Sequence, residues 1–521
     1  MQSVIDWNRA TSFGDLVDQA AATFGDKVAL KDLRGELSFR DFAAEIDFLC
    51  AALISRGLGP GARIAILSQN RIEVPVLLGL CRAGFIPVPL NWRLPVEDLA
   101  SLLQDCEPAA FFVEDRYADL LERLPATPDR VPLTAIIGEA GEGTTTYQSL
   151  IAGRADFTRV HIDADAPASI IYTSGTTSAP KGAVLTHGAI VRNCRDCAHE
   201  AIGFTPQDVS LMIMPLFHVG GIWYYMFPSI FSGCTTILRE RFDPQQVIDA
   251  FASEPVTNVH VVPTMLADLL GRTEFVQVAD SLRLVVYAGS SMPMDLLTRA
   301  MNTLSRCEFA QAYGSTEAGS ITALGPAAHR LALAKPARRQ LLRSCGKPLT
   351  DTEVSIDSLT ESTDSDGVGE ILVRSRKLMS AYWRRPEATA ERFHDGWLRT
   401  GDLGYFDDEG YLYIVDRKND MVISGGENIF PFEVEEVLCT HPLIREASVF
   451  GVADSRWVEK LVAAVVLVPG AALTEREIIE HAREHLPGYK TPKTVRVVDE
   501  LPKNTVGKVL RKNLREQFAG N

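Results

Sequence analysis

The feature that most constrains this chain is the segment 172–182, whose sequence is YTSGTTSAPKG. After Tyr172, which ends the apolar run 168–172, it carries five serine or threonine hydroxyls, two glycines and Lys181. Glycine lets backbone N–H groups approach an oxyanion, hydroxyls donate hydrogen bonds, and lysine adds a positive charge. The apolar run predicts a buried strand, and Thr186 can cap a helix over about 187–201. We therefore expect a strand, loop and helix that bind a polyphosphate.

The spacing of this segment differs from a Walker A loop, G-x-x-x-x-G-K-[ST]. After Gly175 the next glycine is Gly182, and Lys181 precedes it rather than follows it. A P-loop hydrolase is therefore disfavoured. A surface loop without a ligand is the alternative, but few such loops hold this many donors between a buried strand and Pro-Lys-Gly.

Composition sets outer bounds on the protein. A chain of 521 residues is too long for one ordinary core, so two or more domains are expected. The formal net charge of −15 disfavours nucleic acid and anionic membranes as partners, while a local basic patch could still bind a small anion. No secretory signal is visible, and the longest clean apolar run, 461–468, is too short to span a bilayer.

The nine cysteines favour reduced thiols and a cytoplasmic location over a disulfide framework. Cys194 and Cys197 form a single C-x-x-C within the predicted helix. A redox or metal role would be helped by a second pair nearby, which the sequence lacks. We interpret both as ordinary helix residues.

Strand and helix patterns alternate along most of the chain. In residues 12–120, a helix over 72–83 lies between strands at 63–67 and 85–90, which indicates βαβ units and a largely parallel sheet. Residues 202–320 repeat the alternation and include an apolar strand over 212–217. Two segments rich in turn-forming or basic residues, 121–165 and 325–350, are expected to be loops.

Four further motifs follow the first in order. They are PLFHVGG at 215–221, AYGSTE at 312–317, TGDLG at 400–404 and PKNTVGK at 502–508. With the segment 172–182, they resemble the signatures of the adenylate-forming superfamily of acyl-CoA synthetases, luciferases and peptide-synthetase adenylation domains. The one departure in the first motif is Ser178, where that family usually has glycine.

The resemblance implies sites for ATP and Mg²⁺. Tyr313 would stack on adenine, Asp402 would accept hydrogen bonds from the ribose, and Lys508 would bridge the carboxylate and the α-phosphate. Lys181, Thr176 and His218 are the other residues to which it assigns a catalytic role. Mg²⁺ would be held by Glu317 and Thr176. The full set implied for ATP is Thr173, Ser174, Gly175, Thr177, Gly289, Ser290, Tyr313, Gly314, Thr316, Asp402 and Arg417.

The resemblance also implies an acyl pocket, a path for coenzyme A and a hinge at Asn419. The acyl pocket would be lined by His218, Gly220, Gly221, Trp223, Tyr287 and Gly314. Coenzyme A would pass along Ser424, Gly425, Gly426 and Glu427. The predicted pocket residues lie in the stretches 218–225, 287–291 and 314–320. None of these stretches contains a Lys or Arg that could pair with a second carboxylate.

The fold implied is α/β. A large N-terminal domain of sandwiched mixed sheets with helices and a β-subdomain would span 1–417, and a small mobile α+β domain would span 418–521. The expected activity is ligation of a medium-chain fatty or aromatic acid to CoA through an acyl-adenylate. A carrier-protein ligase and a non-catalytic nucleotide-binding protein are the alternatives. We expect a monomer or homodimer.

Overall fold

The computed structural model describes residues 5–124, 131–173, 180–358, 367–424, 427–454, 457–503 and 509–518. These residues form two units. The first contains the chain up to Glu353 together with Val373–Leu398, and the second contains Val354–Leu372 and the chain from Arg399 onward.

The strands follow one another in chain order. They are β1 Val28–Lys31, β2 Glu36–Ser38, β3 Arg63–Leu67, β4 Ile86–Pro89, β5 Ala110–Glu114, β6 Leu133–Ile137, β7 Pro167–Thr173, β8 Lys181–Thr186, β9 Val209–Met212, β10 Thr235–Leu238, β11 Asn258–Val261, β12 Leu284–Tyr287, β13 Glu308–Ser315, β14 Gly319–Leu324, β15 Lys347–Pro348, β16 Thr352–Ser358, β17 Gly369–Ser375, β18 Ala381–Tyr382, β19 Phe393–His394, β20 Trp397–Phe406, β21 Leu412–Arg417, β22 Val422–Ser424, β23 Glu427–Ile429, β24 Ile444–Asp454, β25 Val458–Leu467 and β26 Thr494–Val497.

The α-helices lie between these strands. They are Phe13–Phe24, Phe39–Ile54, Glu73–Leu78, Val96–Cys106, Leu120–Arg123, Tyr147–Ile151, His187–Asp196, Val219–Gly221, Phe227–Phe231, Pro244–Ser253, Pro263–Leu270, Thr273–Val278, Met294–Thr303, Pro326–Ala334, Pro386–Arg392, Pro431–Cys439, Glu475–His485 and Arg511–Phe518. Helical turns of other types are Gly79–Ala83, Asp115–Tyr117, Cys197–Ile202, Ile222–Met226, Ala279–Ser281 and Pro336–Arg343.

Three sheets lie in the first unit. The largest has the order β15-β14-β13-β12-β11-β9-β10-β1-β2, and its strands are parallel from β13 to β1. Its central strands β11 and β12 are buried along their whole length, as helices on both faces of a parallel sheet require. A second sheet, β4-β3-β5-β6, is entirely parallel, and a third, β18-β8-β7, is antiparallel.

The second unit is a smaller α+β unit. Its sheet has the order β23-β22-β25-β24, with β26 parallel to β25. The helices Pro431–Cys439 and Glu475–His485 contribute Val434, Leu438 and Ile478 to one core cluster with this sheet. The unit also contains β21 and most of β20, which pair as antiparallel neighbours. The predicted fold class, with a large N-terminal part of mixed sheets and a smaller C-terminal part, is confirmed.

Several predicted helix starts are correct. Thr186 caps His187–Asp196 by accepting a hydrogen bond from Ala189 N, and Thr474 forms a full capping box with Glu477. Both C-x-x-C cysteines are buried in the helical segment that begins at His187. Within the described part of the chain, no helix has both the length and the apolar character needed to cross a bilayer.

Two segments expected to be loops contain regular structure. The segment 121–165 includes β6, which extends the parallel sheet beside β5, and a short helix capped by Thr146. The segment 325–350 includes the helices Pro326–Ala334 and Pro336–Arg343, because Leu341 and Leu342 are buried against the unit. Both segments were expected to be loops because they are rich in turn-forming or basic residues, and the apolar residues that each also contains were given too little weight.

Two further predictions about strands were wrong. One strand was missed, and another was given the wrong bounds. A strand, β8, lies between the segment 174–180 and the helix from His187, so the predicted strand–loop–helix unit is a β-hairpin followed by a helix. The strand expected over 212–217 ends at Met212. Pro215 cannot donate to a ladder, and the chain there bonds instead to the Asn70 side chain through Met214 O and Leu216 N.

Candidate active site

The predicted phosphate-binding segment connects the antiparallel strands β7 and β8. Thr173 and Lys181 are opposite each other in this pair, and Thr173 Oγ1 donates to Lys181 O at 3.3 Å. The intervening predicted residues Ser174, Gly175, Thr176 and Thr177 lie outside the described residues. The structure therefore gives the two ends of the predicted segment.

Glu317 lies in a polar cluster close to Lys181. The Tyr382 hydroxyl donates to Glu317 Oε1 at 2.8 Å, and Arg392 Nε donates to the same hydroxyl at 3.3 Å. Lys181 Nζ is 5.3 Å from the centroid of the Tyr382 ring. Burial, followed by the charge of Glu317, raises the pKa of Tyr382, so its hydroxyl stays protonated and orients the carboxylate.

Glu317 lies within the tight connection between β13 and β14. A Cβ atom at Gly314 would lie 2.3 Å from Gly319 O, so these two strands approach closely only because position 314 has no side chain. The register shifts between Tyr313 and Gly314. The shift allows β13 to end at Ser315, and Thr316, which follows, is buried.

His218 is the N-cap of the short helix Val219–Gly221. Its Nδ1 accepts from Gly220 N at 3.2 Å, so in the neutral ring Nε2 carries the hydrogen. Burial lowers the pKa of His218, with Glu317 acting in the opposite direction, and the neutral form is therefore favoured at pH 7. A Cβ at Gly221 would lie 2.5 Å from Pro215 O, which explains glycine at that position.

A cavity lies beside Thr316. Two of its lining residues, Thr316 and Trp223, were predicted for the ATP and acyl sites. The full lining is Leu185, Ala189, Ile190, Asn193, Val219, Trp223, Tyr224, Thr316, Gly319 and Lys377. His218, Gly220, Gly221 and Gly314 are neighbours of these residues in sequence but do not belong to this lining.

Asn193, to which sequence analysis gave no role, and Tyr224 fix the wall of the cavity. Asn193 Nδ2 donates to Trp223 O at 2.9 Å, and its Oδ1 accepts from Ser320 N at 2.8 Å. Tyr224 donates from its hydroxyl to Ser315 O at 2.6 Å. These bonds join three parts of the chain around the cavity: the helix from His187, the segment that contains Trp223 and Tyr224, and the β13–β14 connection.

Lys377 brings a charge to the cavity wall, but that charge is already matched. Its Nζ lies 2.7 Å from Asp196 Oδ2, and both side chains are fully buried. Arg195 contacts the other oxygen of Asp196 at 2.8 Å. Breaking such a buried pair is costly, so Lys377 is a structural partner of Asp196 rather than a spare cation for a ligand.

Tyr287, which was predicted for the acyl pocket, contacts a histidine on a helix. It ends β12, is buried, and its hydroxyl lies 2.8 Å from His329 Nε2. His329 Nδ1 donates to Gly325 O at 3.0 Å, so Nε2 accepts from the tyrosine. Gly289, two residues further on, has a φ of +85°, which favours glycine, and Ser290 after it is exposed.

Asp402 and Arg417 form a pair within the second unit. They are cross-strand partners in β20 and β21, and Arg417 Nε lies 3.6 Å from Asp402 Oδ1. Asp402 N donates to Thr400 Oγ1 at 3.1 Å, and Gly401 has a φ of +76°. Strands β20 and β21 thus present a carboxylate and a guanidinium side by side, a combination that suits ribose hydroxyls and phosphate.

The remaining predicted residues also belong to the second unit. Asn419 lies in an exposed turn, where Asp420 N donates to Arg417 O at 2.9 Å. Ser424 and Glu427 pair across the β22–β23 hairpin, with Ser424 buried and Glu427 exposed. Gly425, Gly426 and Lys508 lie outside the described residues.

Comparison with known families matches both parts of the chain. Residues 17–383 match the AMP-binding enzyme family, and residues 433–508 match the AMP-binding enzyme C-terminal domain. The chain belongs to the AMP-binding enzyme family. The family, fold class and enzyme class predicted from the motifs, those of an adenylate-forming acid–thiol ligase, are confirmed.

Individual AMP-binding enzymes resemble the chain along nearly its full length. An indoleacetate–CoA ligase of Aromatoleum aromaticum is 35% identical, over 96% of this chain and 97% of that one. A fatty acid–[acyl-carrier-protein] ligase, ScoC of Streptomyces coeruleorubidus, is 34% identical, over 93% of this chain and 92% of its own length.

Among solved structures, o-succinylbenzoate CoA synthetase (MenE) from Bacillus subtilis, in complex with an acyl-adenylate intermediate, is 31% identical. It superposes with a TM-score of 0.82 and covers 96% of this chain and 97% of that one. These similar proteins differ in acid and in thiol acceptor, so the similarity leaves both open for this chain.

Replacing Asp402 with Asn is expected to lower kcat/KM for ATP about 10–100-fold, because charged hydrogen bonds are worth about 1.5–3 kcal/mol. Steady-state pyrophosphate release at varied ATP concentration measures the effect. Asp408→Asn, at an exposed position of the nearby β20–β21 turn, is the matched control and should leave kcat/KM unchanged. Equal losses in both variants would contradict the proposed role of Asp402.

Proposed function

We propose that this AMP-binding enzyme activates a compact aromatic or medium-chain carboxylic acid with ATP and transfers the acyl group to coenzyme A. The observation that carries the proposal is the cavity bordered by Thr316. A small acid held there would have its carboxylate beside Thr316 and Glu317, the residues proposed to hold the α-phosphate and a metal ion. The contacts of Asn193 and Tyr224 give this cavity a fixed wall.

In the first step a carboxylate oxygen attacks the α-phosphorus of ATP. A bond forms between that oxygen and phosphorus, the bond to the bridging oxygen of the β-phosphate breaks, and pyrophosphate leaves. Because two anions meet, catalysis depends on positioning and on neutralising charge rather than on an acid–base pair. We assign neutralisation to Lys181 and Lys508, and α-phosphate binding to Thr316 with the hydroxyls of 173–177.

We propose Glu317 and Thr176 as the residues that hold Mg²⁺. A carboxylate and a hydroxyl are hard oxygen donors, the type that Mg²⁺ prefers. The Tyr382 hydroxyl donates a hydrogen bond to one Glu317 oxygen and so orients this carboxylate. When bound, the ion would neutralise charge on the β- and γ-phosphates. Tyr313, Gly289 and Ser290 are proposed for adenine, and Asp402 with Arg417 for the ribose and phosphate.

In the second step the sulfur of CoA attacks the acyl carbon. A thioester bond forms, the bond from acyl carbon to the AMP oxygen breaks, and AMP leaves. We propose that pantetheine passes the backbone at Ser424–Glu427, because the glycine pair in the sequence of this segment has no side chains to obstruct a thin ligand. The boundary at 417/418 and a hinge at Asn419 would let the C-terminal domain serve each step in turn.

The cavity favours a compact acid without a second carboxylate. Most of its lining is apolar and includes the large side chains of Trp223 and Tyr224, as in sites that bind small organic ligands. The nearby cation of Lys377 is already paired with Asp196. The similarity to an indoleacetate–CoA ligase supports an aromatic acid, and the similarity to ScoC supports a fatty acid.

A carrier-protein thiol is the second candidate acceptor, and ScoC is the observation that favours it. The first step, formation of the acyl-adenylate, would be the same for either thiol. A cytoplasmic location, which rests on the nine cysteines, and a monomeric or homodimeric state remain predictions.

Pyrophosphate release should require an acid and should yield an acyl-CoA once CoA is added. The assay uses Mg-ATP and a panel of indole, benzoate, cinnamate and straight-chain acids, with and without CoA. We expect aromatic or medium-chain acids to react and long-chain acids and dicarboxylates to react poorly. Adenylate formation without acyl-CoA would favour the carrier-protein acceptor, and silence across the panel would contradict the proposed activity.

Lys508→Ala is expected to reduce adenylation at least 100-fold, while formation of the thioester from supplied acyl-adenylate stays within a few-fold of the wild type. The reason is that Lys508 is proposed to neutralise charge only in the first step. The matched control is Lys503→Ala, since Lys503 Nζ is paired with Glu446. Loss of both half-reactions in Lys508→Ala, with the fold intact, would refute this role.

A further inference from the structure

Three potential metal ligands lie on one face of the helix Glu475–His485, in the second unit. One ligand atom from each of His481, Glu484 and His485 lies within 4.8 Å of the other two. Residues three and four apart in sequence are neighbours on a helix surface, so the spacing itself produces this cluster. Glu484 and His485 are exposed and His481 is partly exposed.

The hydrogen bonds of His485 leave one ring nitrogen ready to bind a metal. Its Nδ1 lies 2.9 Å from His481 O. A carbonyl oxygen can only accept, so Nδ1 carries the hydrogen and, in the neutral ring, Nε2 carries the lone pair. Metal-binding histidines commonly have this arrangement, in which the second nitrogen donates to a backbone carbonyl.

His481 shows the same arrangement with its nitrogens exchanged. Its Nε2 lies 3.0 Å from Val437 O and 3.1 Å from Thr440 Oγ1. The Thr440 hydroxyl donates to Val437 O at 2.7 Å, so it accepts from the imidazole. Nε2 of His481 therefore carries the hydrogen, and Nδ1 has the free lone pair.

We propose that His481, Glu484 and His485 bind one divalent transition-metal ion, such as Zn²⁺. Two imidazole nitrogens and a carboxylate oxygen suit this class of ion, and the exposed face leaves room for water to complete the coordination. The cluster lies in the last turns of its helix, where the partial negative charge of the free carbonyls favours a cation.

A neighbouring histidine, His441, belongs to the surroundings of the cluster rather than to the ligands. Its ring packs edge-on against His481 at a centroid distance of 5.0 Å. Its Nδ1 accepts from Leu443 N at 3.2 Å, so in the neutral ring Nε2 carries the hydrogen and offers no lone pair to a metal. His441 holds the His481 ring in place together with Val437 and Thr440.

A bound ion would stiffen the contact between two helices of the second unit. His481 and His485 belong to the helix Glu475–His485, whereas Val437 and Thr440 lie at the end of the helix Pro431–Cys439. Binding to the folded state alone raises its stability by mass action. Zn²⁺ should therefore raise the temperature at which the second unit unfolds.

Calorimetric titration of tag-free, full-length protein with ZnCl₂ tests the site, with Mg²⁺ in excess to saturate the separate site proposed at Glu317. We expect one Zn²⁺ per chain. Affinity should fall at least 10-fold in His485→Asn and in Glu484→Gln, whose exposed side chains can be changed without disturbing the fold. The matched control, His394→Asn, alters an exposed histidine in the first unit and should bind Zn²⁺ as the wild type does.

The visible absorption of Co²⁺ gives a second measurement that does not depend on enzyme activity. Bound Co²⁺ should show d–d bands in the wild type and in His394→Asn, and these bands should be lost in His485→Asn. Wild-type binding that is no tighter than that of His485→Asn would overturn the proposal. An equal loss in His394→Asn would do so as well, since it would indicate binding spread over surface histidines.

Discussion

The close approach of β13 and β14 is the constraint on which the proposed active site depends. Position 314 tolerates only glycine, since a Cβ there would lie 2.3 Å from Gly319 O. The resulting tight connection presents Thr316 to the cavity and leaves Glu317 bonded to Tyr382. Any residue with a side chain at 314 would push the strands apart, and would displace the proposed phosphate and metal ligands with them.

Buried polar contacts hold the surroundings of this connection in place. Asn193 bonds to both Trp223 and Ser320, and Tyr224 bonds to Ser315, so three chain segments are fixed around one space. Each such contact is net stabilising only because both partners are satisfied. The cavity therefore has a defined shape, the property on which the proposed selection among acids depends.

Sequence patterns predicted those parts of the site whose residues are contiguous. Thr316 and Glu317 were found together because one motif contains both. Tyr382 is 65 residues from Glu317, and Lys377 is 181 residues from Asp196, so no local signal could join them. For the fold, buried apolar runs predicted the parallel sheets, but the strand β8 after the phosphate segment was missed, because its apolar run is short and lies between a lysine–glycine pair and a helix cap.

The placement of Tyr287 shows the limit of such reasoning in physical terms. The resemblance implied a pocket residue, and the structure adds that its hydroxyl bonds to His329 on a helix that the sequence did not predict. Which face of a strand meets a ligand depends on what packs on the other face. That information is tertiary, and a motif does not contain it.

The central claim is that the acid is activated by attack of its own oxygen on the α-phosphorus of ATP. Transfer of ¹⁸O tests this claim most directly, using an acid labelled in both carboxylate oxygens together with Mg-ATP and CoA, and mass spectrometry of the products. If a carboxylate oxygen attacks the α-phosphorus, we expect one ¹⁸O atom in each AMP and one in each thioester. Unlabelled AMP, with the label in pyrophosphate or phosphate instead, would contradict it.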